Sequence, residues 1–174
     1  MSAGHRPLAA LAAVGTLSLT AVGAMAAVKH NTEPVGSGAG TLTTTNTNLP
    51  RDQSGDVIRF TYTAPPGGTR DGTLTITVPT GWPAPTTTNA VGCTATSTGT
   101  VSTNGRTIRV SKLTLAGSAK ATITYGAISG GACTHSDGAN APKTAGRYTF
   151  AAAEASTSTG ATAALATSPT IKII

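Results

Sequence analysis

The stretch Val57-Ile-Arg-Phe-Thr-Tyr-Thr63 carries the clearest structural signal in this chain, because apolar and polar side chains alternate along it one by one. Successive side chains of a β-strand point to opposite sides. Ile58, Phe60 and Tyr62 would therefore lie on one face, and the polar residues between them on the other. The pattern predicts a strand that buries one face in a core and leaves a polar face in water.

The same alternation returns in Thr73–Val78 and Ala119–Tyr125, where Thr or Lys separates the apolar residues. The link between the first two alternating stretches, residues 64–72, is rich in Pro and Gly, which favour turns. We therefore expect Val57–Thr63 and Thr73–Val78 to form a hairpin with a long loop.

Weaker strands are predicted in the rest of the chain, with turn signals every eight to twelve residues or so. They are Thr41–Thr45, Val91–Thr96, Thr100–Thr103, Thr107–Val110, Arg147–Ala152, Thr162–Leu165 and Thr170–Ile174. Asn104-Gly105 is a strong signal for a tight hairpin. The Ala-rich segment 151–166 is interrupted by Ser, Thr and Gly160 and lacks an apolar stripe, so we do not expect a helix there. The fold class is all-β, an immunoglobulin-like antiparallel β-sandwich of about seven to nine short strands.

The first residues have the three zones of an export signal. A cationic start, His5-Arg6, precedes an apolar run from Leu8 to Val22, and Ala24-Met25-Ala26 fits the small-x-small cleavage site of signal peptidase. We predict that residues 1–26 are a signal peptide, although an uncleaved signal anchor is the alternative.

Behind the signal, we assign residues 27–40 to a flexible lead-in and residues 41–174 to the sandwich domain. No Cys stands directly after the apolar run, so a lipid anchor is not expected. No sorting motif is found at the end of the given sequence. The mature protein is predicted to be secreted, either released or held non-covalently at the cell surface.

The chain has two cysteines, Cys93 and Cys133, and an exported protein with an even number of cysteines favours a disulfide. The alternative is a reactive or metal-binding thiol. His135 lies close to Cys133 in sequence, but nothing near Cys93 completes a set of four ligands. We therefore predict one structural disulfide and no metal site.

Charge argues against nucleic acid as a partner. The chain has 12 Lys and Arg against 6 Asp and Glu, and the basic residues are scattered singly rather than in a run that could follow a phosphate backbone. A weak attraction to an anionic membrane or cell-wall surface remains open, because net charge acts without a motif.

No residues suited to catalysis or cofactor binding emerge from the sequence. Besides the histidine in the signal there are only His30, in the lead-in, and His135, in a Gly-rich loop, and neither has an orienting partner nearby. A pair of catalytic carboxylates needs two different pKa values, and neither Glu33 nor Glu154 has a neighbour in the sequence that would produce such a difference. The sequence thus predicts no catalytic, cofactor-binding or metal-binding residues and a protein that is not an enzyme.

Trp82, the only tryptophan, follows a strand that Pro79 ends. Its ring could close one end of the sandwich, or it could contact a ligand. Both interpretations stay open at this point.

Several segments resemble a module of bacterial adhesin- or invasin-type surface proteins. They are residues 72–79, Gly81-Trp82, residues 122–126 and residues 144–150. The resemblance implies an immunoglobulin-like fold that serves as a spacer or a binding face. Gly146-Arg-Tyr-Thr-Phe150 also resembles a tyrosine corner, with Phe150 where antibody domains have a cysteine.

Together these features predict a non-enzymatic secreted or cell-surface module with an adhesion, envelope-structural or self-assembly role. Its partners would be a protein, a cell-wall polymer or other copies of itself, bound through edge strands. A second hypothesis is a carrier of small molecules with an apolar cleft around Trp82. A secreted enzyme is the third.

Overall fold

The computed structural model of the chain describes residues 36–134 and 137–174. The predicted signal, most of the predicted lead-in and His135 lie outside the described residues. The part of the chain that is described contains no helix that could span a membrane. Residues 36–40, at the end of the predicted lead-in, form a hydrogen-bonded turn, and Gly40 is buried.

The described residues form twelve strands. In chain order they are β1 Thr41–Thr44, β2 Asn48–Leu49, β3 Ile58–Thr63, β4 Thr69–Thr77, β5 Thr94–Thr96, β6 Thr100–Asn104, β7 Thr107–Leu115, β8 Lys120–Tyr125, β9 Gly146–Thr149, β10 Ala151–Ala155, β11 Ala163–Ala164 and β12 Thr170–Ile173.

The strands build three sheets. The first has the order β1-β3-β8-β5, the second β11-β10-β4-β7-β6, and the third β2-β12-β9. All neighbouring strands are antiparallel except β2 and β12. The first two sheets share one apolar core, so the predicted all-β, immunoglobulin-like sandwich is confirmed.

The core follows from the alternation of side chains along the strands. Ile58, Phe60 and Tyr62 of β3 are fully buried, as the pattern predicts, and so are Leu74 and Ile76 of β4. Each such side chain contributes about 1.5–3 kcal/mol by leaving water. The polar residues between them form the outer faces of the two sheets, where the Thr75 hydroxyl donates to the Ala153 carbonyl at 3.2 Å.

The hairpin predicted between the first two alternating stretches is wrong. β3 pairs with β1 and β8 in the first sheet, whereas β4 pairs with β10 and β7 in the second. The link between them turns at Pro65, whose carbonyl accepts a hydrogen bond from the Gly68 amide, and carries the chain across to the other sheet. Turn-forming residues show where a chain bends, but they do not show which strand becomes its partner.

The strand predicted at Arg147–Ala152 is two strands in two sheets. β9 pairs with β12 in the third sheet and β10 with β4 in the second, and Phe150 lies between them. Phe150 is fully buried at this change of sheet, while Tyr148 is half-buried and packs against the edge of the core. The Tyr148 hydroxyl donates to the Thr144 carbonyl at 2.8 Å, which is the hydrogen bond of a tyrosine corner.

The tight hairpin predicted at Asn104-Gly105 joins β6 to β7. Its two-residue turn consists of Gly105 and Arg106, one position later than the Asn-Gly pair suggests, and Gly105 has a φ of 55°. A positive φ at the first turn position is one that glycine adopts at little cost. The Ala-rich segment is extended, as expected, and provides β10 and β11.

Candidate functional site

Trp82 lies at one end of the core and not on the surface. Its side chain is 3% exposed, and its ring meets those of Tyr125 and Phe150 edge-on, with centroids 6.1 and 5.6 Å apart. These contacts match the first interpretation of the sequence, in which the ring closes one end of the sandwich. At 3% exposure, the indole ring offers little of its own surface to a ligand.

Arg106 holds the segment that carries Trp82. Its guanidinium donates to the carbonyls of Val78 and Trp82, both at 2.8 Å, and to that of Pro79. A guanidinium has five N–H donors in a fixed plane, so one side chain can satisfy three carbonyls at once. The β6–β7 turn is thereby fastened to the chain segment that leaves β4.

A hollow of about 440 Å³ lies beside Trp82. Apolar groups form one part of its wall and polar groups the other. The lining residues are Asp52, Gly81, Trp82, Pro83, Asn140, Ala141, Pro142, Lys143, Thr144 and Tyr148. Its volume falls in the range of small-molecule sites, but Asp52 and Lys143 make it a mixed surface and not the apolar cleft that the carrier hypothesis predicts. We call it the Trp82 hollow.

Two buried polar atoms lack a hydrogen-bond partner among the described residues, Trp82 Nε1 and Asp56 Oδ2. The other oxygen of Asp56 accepts a hydrogen bond of 2.8 Å from Gln53 Nε2. Burial raises the pKa of Asp56 to about 6, because a charged carboxylate loses its hydration there. This aspartate lies in the loop before β3, where its backbone pairs with Ala139.

Glu154, which has no obvious partner in the sequence, forms a buried cluster in the structure. Its carboxylate accepts hydrogen bonds from the Tyr62 hydroxyl, from the Gly40 amide at 3.2 Å and from the Ser156 hydroxyl at 3.0 Å. Burial, and then the hydrogen bond to Glu154, raise the pKa of Tyr62 well above its usual value. The cluster links β3 in the first sheet to β10 in the second and is 1% exposed at Glu154, so its role is structural.

The described residues offer no metal centre. Within residues 36–134 and 137–174, no three His, Cys, Asp or Glu side chains come together in a group that could hold a metal ion. Cys93 and Cys133 form the predicted disulfide, with Cα atoms 5.7 Å apart. The two cysteines are buried and join the loop before β5 to the loop after β8.

The two larger sheets end side by side at β5 and β6. Between these strands lies a second hollow, of about 310 Å³. It is lined by Thr87, Thr94, Ala95, Thr96, Gly99, Thr100, Val101, Gly131 and Ala132. We call it the edge hollow. The disulfide-linked loop provides Gly131 and Ala132, so the disulfide helps to shape this side of the molecule.

β6 is the longest of the six strands at the edges of the three sheets, with five residues. It contains no charge and no proline, which are the usual devices that protect a sheet edge. β5 has three residues, and the Thr86 segment bonds to Thr94 beside it. Residues 167–170 stand across a hollow from β1, so another part of the chain lies near that edge. β9 carries the exposed charge of Arg147. We call the free side of β6 the open edge.

Comparison with known proteins identifies structures of similar fold but no family for this chain. No family model and no curated protein sequence matches this chain. The crystal structure of BslA, described as a bacterial hydrophobin, is 21% identical with a TM-score of 0.50, covering 80% of this chain and 96% of that chain. A non-cellulosomal cohesin from the hyperthermophilic archaeon Archaeoglobus fulgidus is 9% identical with a TM-score of 0.40, covering 78% of this chain and 91% of that one. At 21% identity, the likeness to BslA shows a shared β-sandwich fold alone.

Proposed function

We propose that this chain is an exported, non-enzymatic structural module that assembles with copies of itself through a sheet edge. The open edge is the observation that carries this proposal. An uncharged strand of five residues leaves unpaired amides and carbonyls that another strand can take up. Adhesion to another protein or to a cell-wall polymer is the wider role in which such an assembly would serve.

Several features of the described residues support a module without catalysis. Glu154 is held inside the core by three donors, and Asp56 is buried against Gln53. Neither carboxylate is accessible to a substrate, so the two buried acids serve the fold.

The disulfide supports export, because disulfides persist in oxidising compartments outside the cytoplasm. This agrees with the predicted signal in residues 1–26. Nine of the described Lys and Arg side chains are exposed against three Asp side chains. A module with this surface would be drawn weakly to an anionic cell wall or membrane.

A role like that of a hydrophobin, the name carried by one protein of similar fold, would require an exposed apolar surface. Among the described residues, Ile128 and Ile174 are the large apolar side chains that are exposed, at 47% and 56%. Two such side chains make a small apolar surface, so we place assembly through a strand edge ahead of activity at an apolar interface.

The first experiment is sedimentation velocity of the purified exported protein over a wide range of concentrations. We expect the average mass to rise with concentration as copies associate. A strictly monomeric protein at the highest concentration would remove the self-assembly role. Chemical crosslinking at the same concentrations provides an independent measurement.

A small-molecule carrier is the second candidate, because the Trp82 hollow offers space for a ligand beside the only tryptophan of the chain. A ligand there would change the surroundings of the only tryptophan. We expect a shift in tryptophan fluorescence when the protein meets an extract of its producing organism. An unchanged spectrum with every fraction would exclude the carrier role.

A further inference from the structure

We propose that two copies of this chain pair through β6 in antiparallel fashion about a two-fold axis at Ser102, which joins their five-stranded sheets into one continuous sheet. This inference rests on the proposed function and names the partner and the register. It follows from the hydrogen-bonding pattern of β6, from the registers that a two-fold axis allows and from the space beside the strand.

The turn fixes which backbone groups of β6 are free. In a two-residue hairpin, the residues that flank the turn exchange hydrogen bonds, and here these are Asn104 and Thr107. Hydrogen-bonded and non-hydrogen-bonded pairs then alternate along the strand. The amides and carbonyls of Val101 and Thr103 therefore point away from β7. No hydrogen bond joins them to any other residue in the described part of the chain.

Two-fold symmetry selects the register. With Ser102 on the axis, Val101 of each copy lies opposite Thr103 of the other, and the two pairs share four backbone hydrogen bonds. Thr100 then faces Asn104, so the full length of β6 is paired. A centre at Val101 would bring Gly99 into the ladder, and its φ of 77° is not that of a strand. A centre at Thr103 would run into the turn at Gly105.

The side chains suit this pairing. Val101 and Thr103 are half-buried and face inward, whereas Ser102 is exposed on the outer face. Opposite residues of an antiparallel pair point to the same face, so the second copy's Thr103 would lie next to Val101. Val101 also lines the edge hollow, which leaves room for an inward-facing side chain of the second copy.

The charges nearest the paired strands do little to oppose the pairing. β6 has no charged residue, and the cation closest in register is Arg109, opposite Ser102 on β7. In the pair, the two Arg109 side chains would be three strand spacings apart, about 14 Å. This exceeds the screening length of about 8 Å at physiological salt, so their repulsion is weak.

Cysteine crosslinking of the full exported chain tests the register. Directly opposite residues of a non-hydrogen-bonded pair have Cα atoms about 4.5 Å apart, within reach of a disulfide. We expect Ser102→Cys to form a covalent dimer under mild oxidation. Thr100→Cys is the matched control on the same strand. Alone it should stay monomeric, but mixed with Asn104→Cys it should form the crosslinked dimer.

Proline substitution tests the hydrogen bonds. Val101→Pro removes an amide that faces the open edge and leaves the ladder to β7 intact, so the variant should fold, with its melting temperature lowered only by the lost packing of Val101 against the core. Association should weaken about tenfold or more, because the dimer loses two hydrogen bonds. Ser102→Pro removes a donor to β7 and should lower the melting temperature further.

The outcomes separate the two proposals. If the wild type associates but Ser102→Cys gives no dimer and Val101→Pro associates like the wild type, pairing through β6 is wrong and assembly uses another surface. Crosslinking of Thr100→Cys alone would refute the register. If the wild type is monomeric at all concentrations, the assembly role itself fails.

Discussion

Asp56 gives the fold an unusual response to acid. Its folded pKa is raised to about 6, so at neutral pH the native protein holds a buried charge with one unpaired oxygen. Between about pH 4 and 6, the carboxyl is ionised in the unfolded chain and protonated in the folded one. The stability that the proton provides is therefore fully present below about pH 4 and is lost as pH rises through about 6.

We expect Asp56→Asn to stabilise the protein at pH 7 and to lose this advantage at pH 4. The asparagine oxygen can still accept the hydrogen bond from Gln53. Urea unfolding of both proteins at the two pH values measures the difference, and other carboxyl groups cancel in the comparison. An equal difference at pH 4 and pH 7 would show that burial of Asp56 does not control its ionisation.

Tyr62 and Glu154 provide a second test at the level of single residues. Tyr62→Phe removes a donor to a buried carboxylate, which typically costs about 1.5–3 kcal/mol. Tyr148→Phe is the control, because its hydroxyl bonds a carbonyl in an exposed setting and its loss should cost less than about 1 kcal/mol. Denaturant unfolding compares the two variants. Equal losses would mean that the cluster between the sheets adds nothing beyond an ordinary hydrogen bond.

At the scale of strands, Arg106 ties one hairpin to the segment around Trp82. Arg106→Lys leaves a single ammonium group where a guanidinium serves three carbonyls, so we expect a loss of about 1–2 kcal/mol. Trp82 should become more exposed, and its fluorescence should shift to longer wavelength. Arg109→Lys, at an exposed position on β7, should change neither property. If Arg106→Lys changes neither the stability nor the fluorescence, Arg106 does not hold the segment around Trp82 in place.

The strands also show how far the sequence predicts this fold. Alternation identifies β3, β4 and β8, because the period of side chains along a strand is a local property. It misses that β3 and β4 lie in different sheets, since pairing depends on partners far away in sequence. The change of sheet at Phe150 has no local signal for the same reason.

The candidate sites follow the same rule. The disulfide is predictable because two cysteines in an exported chain leave one pairing. The partnership of Tyr62 and Glu154, 92 residues apart, has no local signal. The position of β6 at a sheet edge also cannot be predicted from its own five residues, because strand order within a sheet is a property of the whole chain.

At the scale of the whole molecule, the disulfide closes a loop with a sequence separation of 40 residues. In the chain-entropy model such a loop contributes about 4 kcal/mol to stability. We expect the double variant Cys93→Ser, Cys133→Ser to lose most of this amount in urea unfolding. Added reductant should weaken the wild type and leave the double variant unchanged. A double variant as stable as the oxidised wild type would contradict this prediction.

The net charge of the molecule predicts opposite salt dependences for two classes of partner, other copies of the chain and anionic polymers. The formal charge at pH 7 is +6 for the full chain and +5 once Arg6 is removed with the predicted signal, so association of identical copies works against their mutual repulsion. Salt screens this repulsion, and we expect self-association measured by sedimentation to strengthen between about 20 and 200 mM salt. Binding to an anionic cell-wall polymer depends on attraction and should weaken over the same range. If salt weakens self-association, contacts between opposite charges must hold the copies together, and an uncharged strand such as β6 could not be their main interface.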